Sequence, residues 1–122
     1  MTNGNALAGL RGGRTHRIEL MDSLGSVVYA ARLADGKIKI GHTERFGHRL
    51  RYLKAYTGQD VELIGFRLGS YEDEQAIHAS LIEHRAQGAH YAQSREYYEA
   101  VPEVLAVVND MRSHFGMPAL AA

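Results

Sequence analysis

Apolar positions along the chain fall into blocks whose period alternates between that of a strand and that of a helix. Val27 to Leu33 is a run rich in β-branched and aromatic residues and reads as a strand. Asp35-Gly36 follows as a two-residue hairpin signal. From Lys37 to His42 polar and apolar residues alternate, with Ile38 and Ile40 on one face and Lys37 and Lys39 on the other. The spacing then changes. Phe46, Leu50 and Leu53 recur at helical intervals after Thr43, a suitable N-cap, and Glu44; Thr57-Gly58 closes that helix. Arg45, Arg49, Tyr52 and Tyr56 form a second stripe along it.

Val61 to Leu68 gives a third strand. Ser70 and Asp73 open a capping box for a helix over about 71–85. On that helix Glu74, His78, Leu81 and Arg85 fall on one narrow face beside Ile77, a polar stripe bordering an apolar arc. Gly88 to Gln93 reads as a loop, and Ser94 as the start of a helical stretch interrupted near Pro102. Val101, Val104, Leu105, Val108 and Met111 then repeat with a helical period. The pattern predicts an α+β fold, a small antiparallel three-stranded β-sheet flanked by α-helices. Residues 1–22, glycine-containing and mildly basic, read as a flexible arm; 23–115 form the domain, and 116–122 a tail.

At 122 residues the chain suits one modest core. It has no cysteine, which excludes disulfides and cysteine-based zinc sites. No apolar run approaches the roughly 18–20 residues that cross a bilayer, and no secretory-type start is present, so a cytoplasmic protein without membrane contact is the simplest expectation. Net charge is zero, but it is segregated. Arg32, Lys37, Lys39, Arg45, Arg49, Arg51 and Lys54 lie in a stretch whose only acids are Asp35 and Glu44, while the segment from Asp60 to Glu103 is mainly acidic. Lys37, Arg45, Arg51 and Lys54 are the candidate nucleic-acid contacts. On charge alone, solvated faces of a strand and a helix explain them equally well.

Four side chains on four elements stand out: the phenol of Tyr29, the amine of Lys39, the guanidinium of Arg49 and the carboxylate of Glu74. Together they are what a metal-assisted phosphodiester hydrolase needs. Singly, Tyr29 reads as a half-buried strand tyrosine, Lys39 as a solvated lysine, and Arg49 and Glu74 as helix surface charges. His78 singly reads as a core histidine, and Arg85 as half of a structural ion pair. A tyrosine with pKa near 10 is a poor base at neutral pH unless a cation lowers it, and Lys39 is the neighbouring cation. Glu74 is a hard oxygen ligand suited to Mg²⁺. Arg49 is able to bind a phosphate bidentately. His42 is a candidate proton donor or acceptor.

The strings VVYAARLADGKIKIGHTERFGHRLRYL and YEDEQAIHASLIEHRAQGAHY, within residues 27–91, resemble the GIY-YIG nuclease superfamily, in particular a short bacterial and phage subgroup. The resemblance implies that Tyr29 is the tyrosine of the first triplet. Lys39 replaces the tyrosine of the second triplet, and Gly41 is its glycine. Arg49 is the helix arginine, Glu74 the metal-binding glutamate, and His42 a histidine found in some restriction-enzyme members. It implies a DNA endonuclease using one Mg²⁺ (or Mn²⁺) per site, with His78 and Arg85 supporting Glu74. The subgroup often reads Gly-Glu-Trp-Phe where this chain has Gly88-Ala89-His90-Tyr91. The alternative expectation is therefore an inactive module that keeps the fold to bind nucleic acid or a protein, as a phage-encoded regulator would. Selectivity would come from the domain, the arm, a homodimer or a partner protein. A zinc site from His78, His84 and His90 is disfavoured, because a spacing of six puts them on different helix faces.

Overall fold

The computed structural model describes residues 14–87, 91 and 95–120. Its elements run α1 (Arg14–Ser23), β1 (Val27–Leu33), β2 (Ile38–Thr43), α2 (Phe46–Thr57), β3 (Val61–Leu68), α3 (Tyr71–Ser80), a 3-10 turn (Ile82–His84), β4 (Tyr97–Tyr98) and α4 (Pro102–Ser113). The class is α+β, as the pattern predicts, but among the described residues the sheet has four strands. Their order is β3-β1-β2-β4, and all neighbouring pairs are antiparallel.

The hairpin differs from the expected two-residue turn. Leu33 accepts from Gly36 N, so Ala34 and Asp35 are the central turn residues, and Gly36 takes the left-handed position (φ 93°) of a three-residue loop. Its register sets Tyr29 opposite Gly41 and Ala31 opposite Lys39. Since side chains alternate across a sheet, Tyr29, Lys39 and Gly41 share one face while His42 and Ile40 share the other. Between β1 and β3 the register shifts at Ala30/Ala31 and leaves Ile64 unpaired. That bulge lets Leu63 and Phe66, three residues apart, both enter the same core.

Two apolar layers cover the sheet. On one face Val27, Tyr29, Ala31, Leu33 and Phe66 pack with Phe46, Leu50 and Leu53 of α2 and Met21 of α1. On the other, Val28, Ala30, Ile38, Ile40 and Ile64 pack with Val104, Val108 and Met111 of α4 and with Leu81.

Four local expectations change. The stretch expected to be a flexible arm includes α1, held down by the fully buried Met21; residues 1–13 lie outside the described set. Thr43 does not cap α2. Its hydroxyl accepts from Arg45 N, and the Phe46 N–H donates instead to Asp22 Oδ1 of α1 at 2.6 Å. The helical stretch expected before Pro102 contains the short strand β4, and Pro102 begins α4, where its missing N–H costs nothing. The capping box of α3 forms as predicted, Ser70 N donating to Asp73 Oδ2 at 2.7 Å. However, α3 ends at Ser80 and tightens into the 3-10 turn before Arg85.

Candidate functional site

The expected residues gather at the β2 edge, where β4 pairs with it at Ile38 and Lys39. Tyr29 extends from β1 across β2, and its path depends on Gly41. A Cβ on Gly41 would lie 2.5 Å from the Tyr29 hydroxyl oxygen, so the triplet glycine is the space the phenol occupies. The ring of Phe46 meets Tyr29 edge-on at 5.0 Å and fixes its tilt. Its hydroxyl is buried and has no hydrogen-bond partner among the described residues.

Lys39, on the same face, is only 4% exposed. Its Nζ donates to Glu96 Oε1 just ahead of β4 and lies 5.0 Å from the centroid of the Tyr97 ring. Glu96 escaped sequence reading because it sits in a segment expected to be helical. The adjacent aromatic pair Tyr97-Tyr98, a strand-like composition, was the signal available.

Glu74 and His78 are one turn apart on α3 and both nearly buried. His78 Nε2 is 3.1 Å from Glu74 Oε2, and its Nδ1 meets the hydroxyl of the fully buried Tyr98. Arg85 bridges to Tyr98 through the backbone and bears on its hydroxyl. The two residues expected to support Glu74 thus meet at one phenol. One ligand atom from each of Glu74, His78 and Glu96 lies within 4.8 Å of the others. Two carboxylates and an imidazole fit Mn²⁺ as readily as Mg²⁺.

Charges link these groups. Burial pushes the Tyr29 phenol far up; Arg49 pulls it down, while Glu96, Tyr97 and Glu74 push it further up. Burial lowers Lys39, opposed by Glu96 and Glu74 and assisted by Arg49. Burial thus favours the neutral phenol of Tyr29, a hydrogen-bond donor. Arg49, on the first turn of α2, faces an open groove with Thr43, Glu44, Arg45, His48 and Tyr52.

His42 is not brought to this cluster. It projects from the opposite sheet face, and its Nε2 lies 2.6 Å from Ser26 Oγ, which donates to the Gly69 carbonyl. Of the four expected nucleic-acid contacts, Arg45 lines the groove and Arg51 bonds His48 Nδ1 at 3.0 Å. Lys37 pairs with Glu99 and Lys54 with Asp60, contacts that are weak at a surface and easily exchanged. Gly88, Ala89 and His90, where the sequence departs from the subgroup, lie outside the described residues; Tyr91 is buried against Tyr97. Among the described residues no helix is long and apolar enough to cross a membrane.

Residues 26–112 match the T5orf172 domain, which is related to nuclease-like phage proteins. No curated protein and no solved structure matches the chain.

Proposed function

We propose that this chain, which belongs to the T5orf172 domain family, is a divalent-metal-dependent nuclease of GIY-YIG type acting on DNA. The observation that supports this most is a convergence of side chains: one ligand atom from each of Glu74, His78 and Glu96 lies within 4.8 Å of the others, and Lys39 Nζ donates to Glu96 Oε1. Glu74 and Glu96 come from segments distant in sequence, on α3 and just ahead of β4.

Each residue has a role in phosphodiester hydrolysis. Glu74, with His78 and Glu96 beside it, would hold the ion, which when bound neutralises the phosphate and the departing oxygen. Arg49 binds the scissile phosphate from the groove. Tyr29, kept neutral, donates a hydrogen bond to a phosphate oxygen or to the attacking water. Lys39, donating to Glu96, orients that water, and the Glu96 carboxylate takes its proton as the new P–O bond forms and the bond to the leaving oxygen breaks. Arg85 and His78, through Tyr98, position Glu74.

The test is incubation of plasmid DNA with the purified protein in Mg²⁺ or Mn²⁺, with and without EDTA. Nicking or linearisation that EDTA and Glu74→Ala both abolish is expected. Absence of cleavage on DNA and RNA with either ion overturns the proposal.

Burial favours a second reading. Tyr29, Lys39, Glu74 and His78 are each under 10% exposed, which suits a fold retained for binding as well as a site that opens to substrate. Under it, nucleic-acid binding would be salt-dependent, insensitive to EDTA and unaffected by Glu74→Ala, but weakened by Arg49→Ala.

A further inference from the structure

Phosphate chemistry leaves one feature of α2 unexplained. Tyr52 is 57% exposed and Tyr56 43%, yet they are not splayed into solvent. Their rings stack with centroids 6.0 Å apart and planes 16° apart. Tyr56 stacks in turn on the buried Tyr97, at 6.5 Å and 15°. Tyr97 lies under the Lys39 amine. The result is a row of nearly parallel rings that starts in solvent and ends at the proposed catalytic lysine. At its outer end the Arg49 guanidinium carbon is 5.8 Å from the Tyr52 centroid.

A helix serving stability alone would turn two such large rings inward, since exposing them forfeits burial. The exposed surface of Tyr52, at the solvent end of the row, suits a flat apolar occupant backed by Tyr56, and the flanking charge sets its sign. Arg45, His48, Arg49 and Arg51 lie on or beside the same surface, and Glu44 is the acid in the groove. Flat, apolar-faced and anionic describes a nucleotide. In a duplex the base faces are already stacked on one another, leaving edges and backbone to a protein; only an unpaired strand offers free faces.

We infer that the Tyr52–Tyr56 row stacks the bases of an unpaired strand, so that the site takes single-stranded or locally unpaired nucleic acid and receives the phosphate next to a stacked base. Delivery of that phosphate rests on the nuclease reading above. Stacking itself does not, and the two fail separately.

The experiment is fluorescence anisotropy in EDTA, where no cleavage occurs, with a short labelled oligothymidine and a blunt duplex of equal length. Wild type is expected to prefer the single strand. Tyr52→Ala and Tyr56→Ala should each weaken single-strand binding by about 5- to 150-fold, the range for one stacked base, and leave duplex binding unchanged. Tyr52→Phe, which keeps the ring face, should bind as wild type does. Both positions are exposed, and an unchanged thermal melt shows that the fold is intact. Equal binding by wild type and the alanine variants, preference for the duplex, or no oligonucleotide binding at all overturns the inference. Glu74→Gln should bind the oligonucleotide normally. If that binding survives while no variant or wild type ever cleaves, the nuclease reading fails and the stacking surface stands.

Discussion

Glu96→Gln should destabilise the protein far more than Lys39→Met, although both remove the same ion pair. The asymmetry lies in burial: the Lys39 side chain is 5% exposed and that of Glu96 36%. With Glu96 neutralised, an ammonium is stranded in the interior. Its cost has a ceiling, because Lys39 is free to release its proton. At about 1.36 kcal/mol per pH unit, the interval from pH 7 to the ordinary lysine value of 10.5 sets that ceiling near 5 kcal/mol. Glu74 and the Tyr97 ring remain to compensate part of it, so about 2–3 kcal/mol is expected at pH 7. In Lys39→Met the cation is gone, an unbranched apolar chain fills its path, and Glu96 turns to water. The expected cost is about 1 kcal/mol. The pH sign is also fixed. The stranded lysine has a folded pKa below its unfolded one, so the unfolded state binds more protons and the variant gains stability as pH rises toward 10. At pH 9.5 the ceiling falls to about 1.4 kcal/mol, and the gap between Glu96→Gln and wild type should shrink accordingly. Urea unfolding followed by circular dichroism in EDTA, at both pH values, measures this. Equal costs for the two variants, or a Glu96→Gln deficit that does not shrink at high pH, would refute the buried-cation argument.

Tyr29→Phe deletes a buried hydroxyl that has no partner among the described residues, so at pH 7 it should match or exceed wild-type stability. Above pH 10 the raised phenol makes wild type lose on the order of 1.4 kcal/mol per pH unit that the variant does not, and a variant less stable at pH 7 would reveal a missed hydrogen bond. Gly41→Ala drives a methyl into the Tyr29 ring and should cost about 3 kcal/mol in a urea titration, much of it recovered in the double variant with Tyr29→Leu; a silent Gly41→Ala would mean that the ring does not cross β2. Mn²⁺ should raise the melting temperature of wild type, by the equivalent of about 2.7 kcal/mol at a hundredfold excess over Kd, and leave Glu74→Gln and His78→Ala unmoved. A shift that persists in both variants places the ion elsewhere.

Much of this arrangement is written in local signals. The three long strands, the capping box at Ser70 and the stripe of Phe46, Leu50 and Leu53 all follow from period and turn chemistry, and each appears in the fold. The misreadings share a cause: the deciding contact is remote in sequence. Thr43 has the right chemistry to cap α2, but Asp22 reaches the free N–H from another helix. Two residues are too few to show a strand period, so β4 is defined by its pairing with Lys39 and not by its own pattern. Glu96, which answers Lys39 electrostatically, was hidden by the same error. His42 shows the opposite failure. Its place three residues after Lys39 invites a shared role, but an odd offset on a strand reverses the face.

The Asp22 contact also bears on where the cooperative unit begins. Recognition of the T5orf172 pattern starts at residue 26, but Met21 closes the core beneath Phe46 and Asp22 ties down the first turn of α2. Arg49 sits on that turn. A fragment trimmed to the recognised span would keep every residue of the proposed site and lose the acceptor that holds the first N–H of α2. The same holds at the far end, where Arg112 Nε grips the Pro118 carbonyl and Asn109 holds Leu120, both past the last matched residue. The recognisable stretch and the packed stretch differ in length, and the turn that carries Arg49 is tied to the part outside the recognised span.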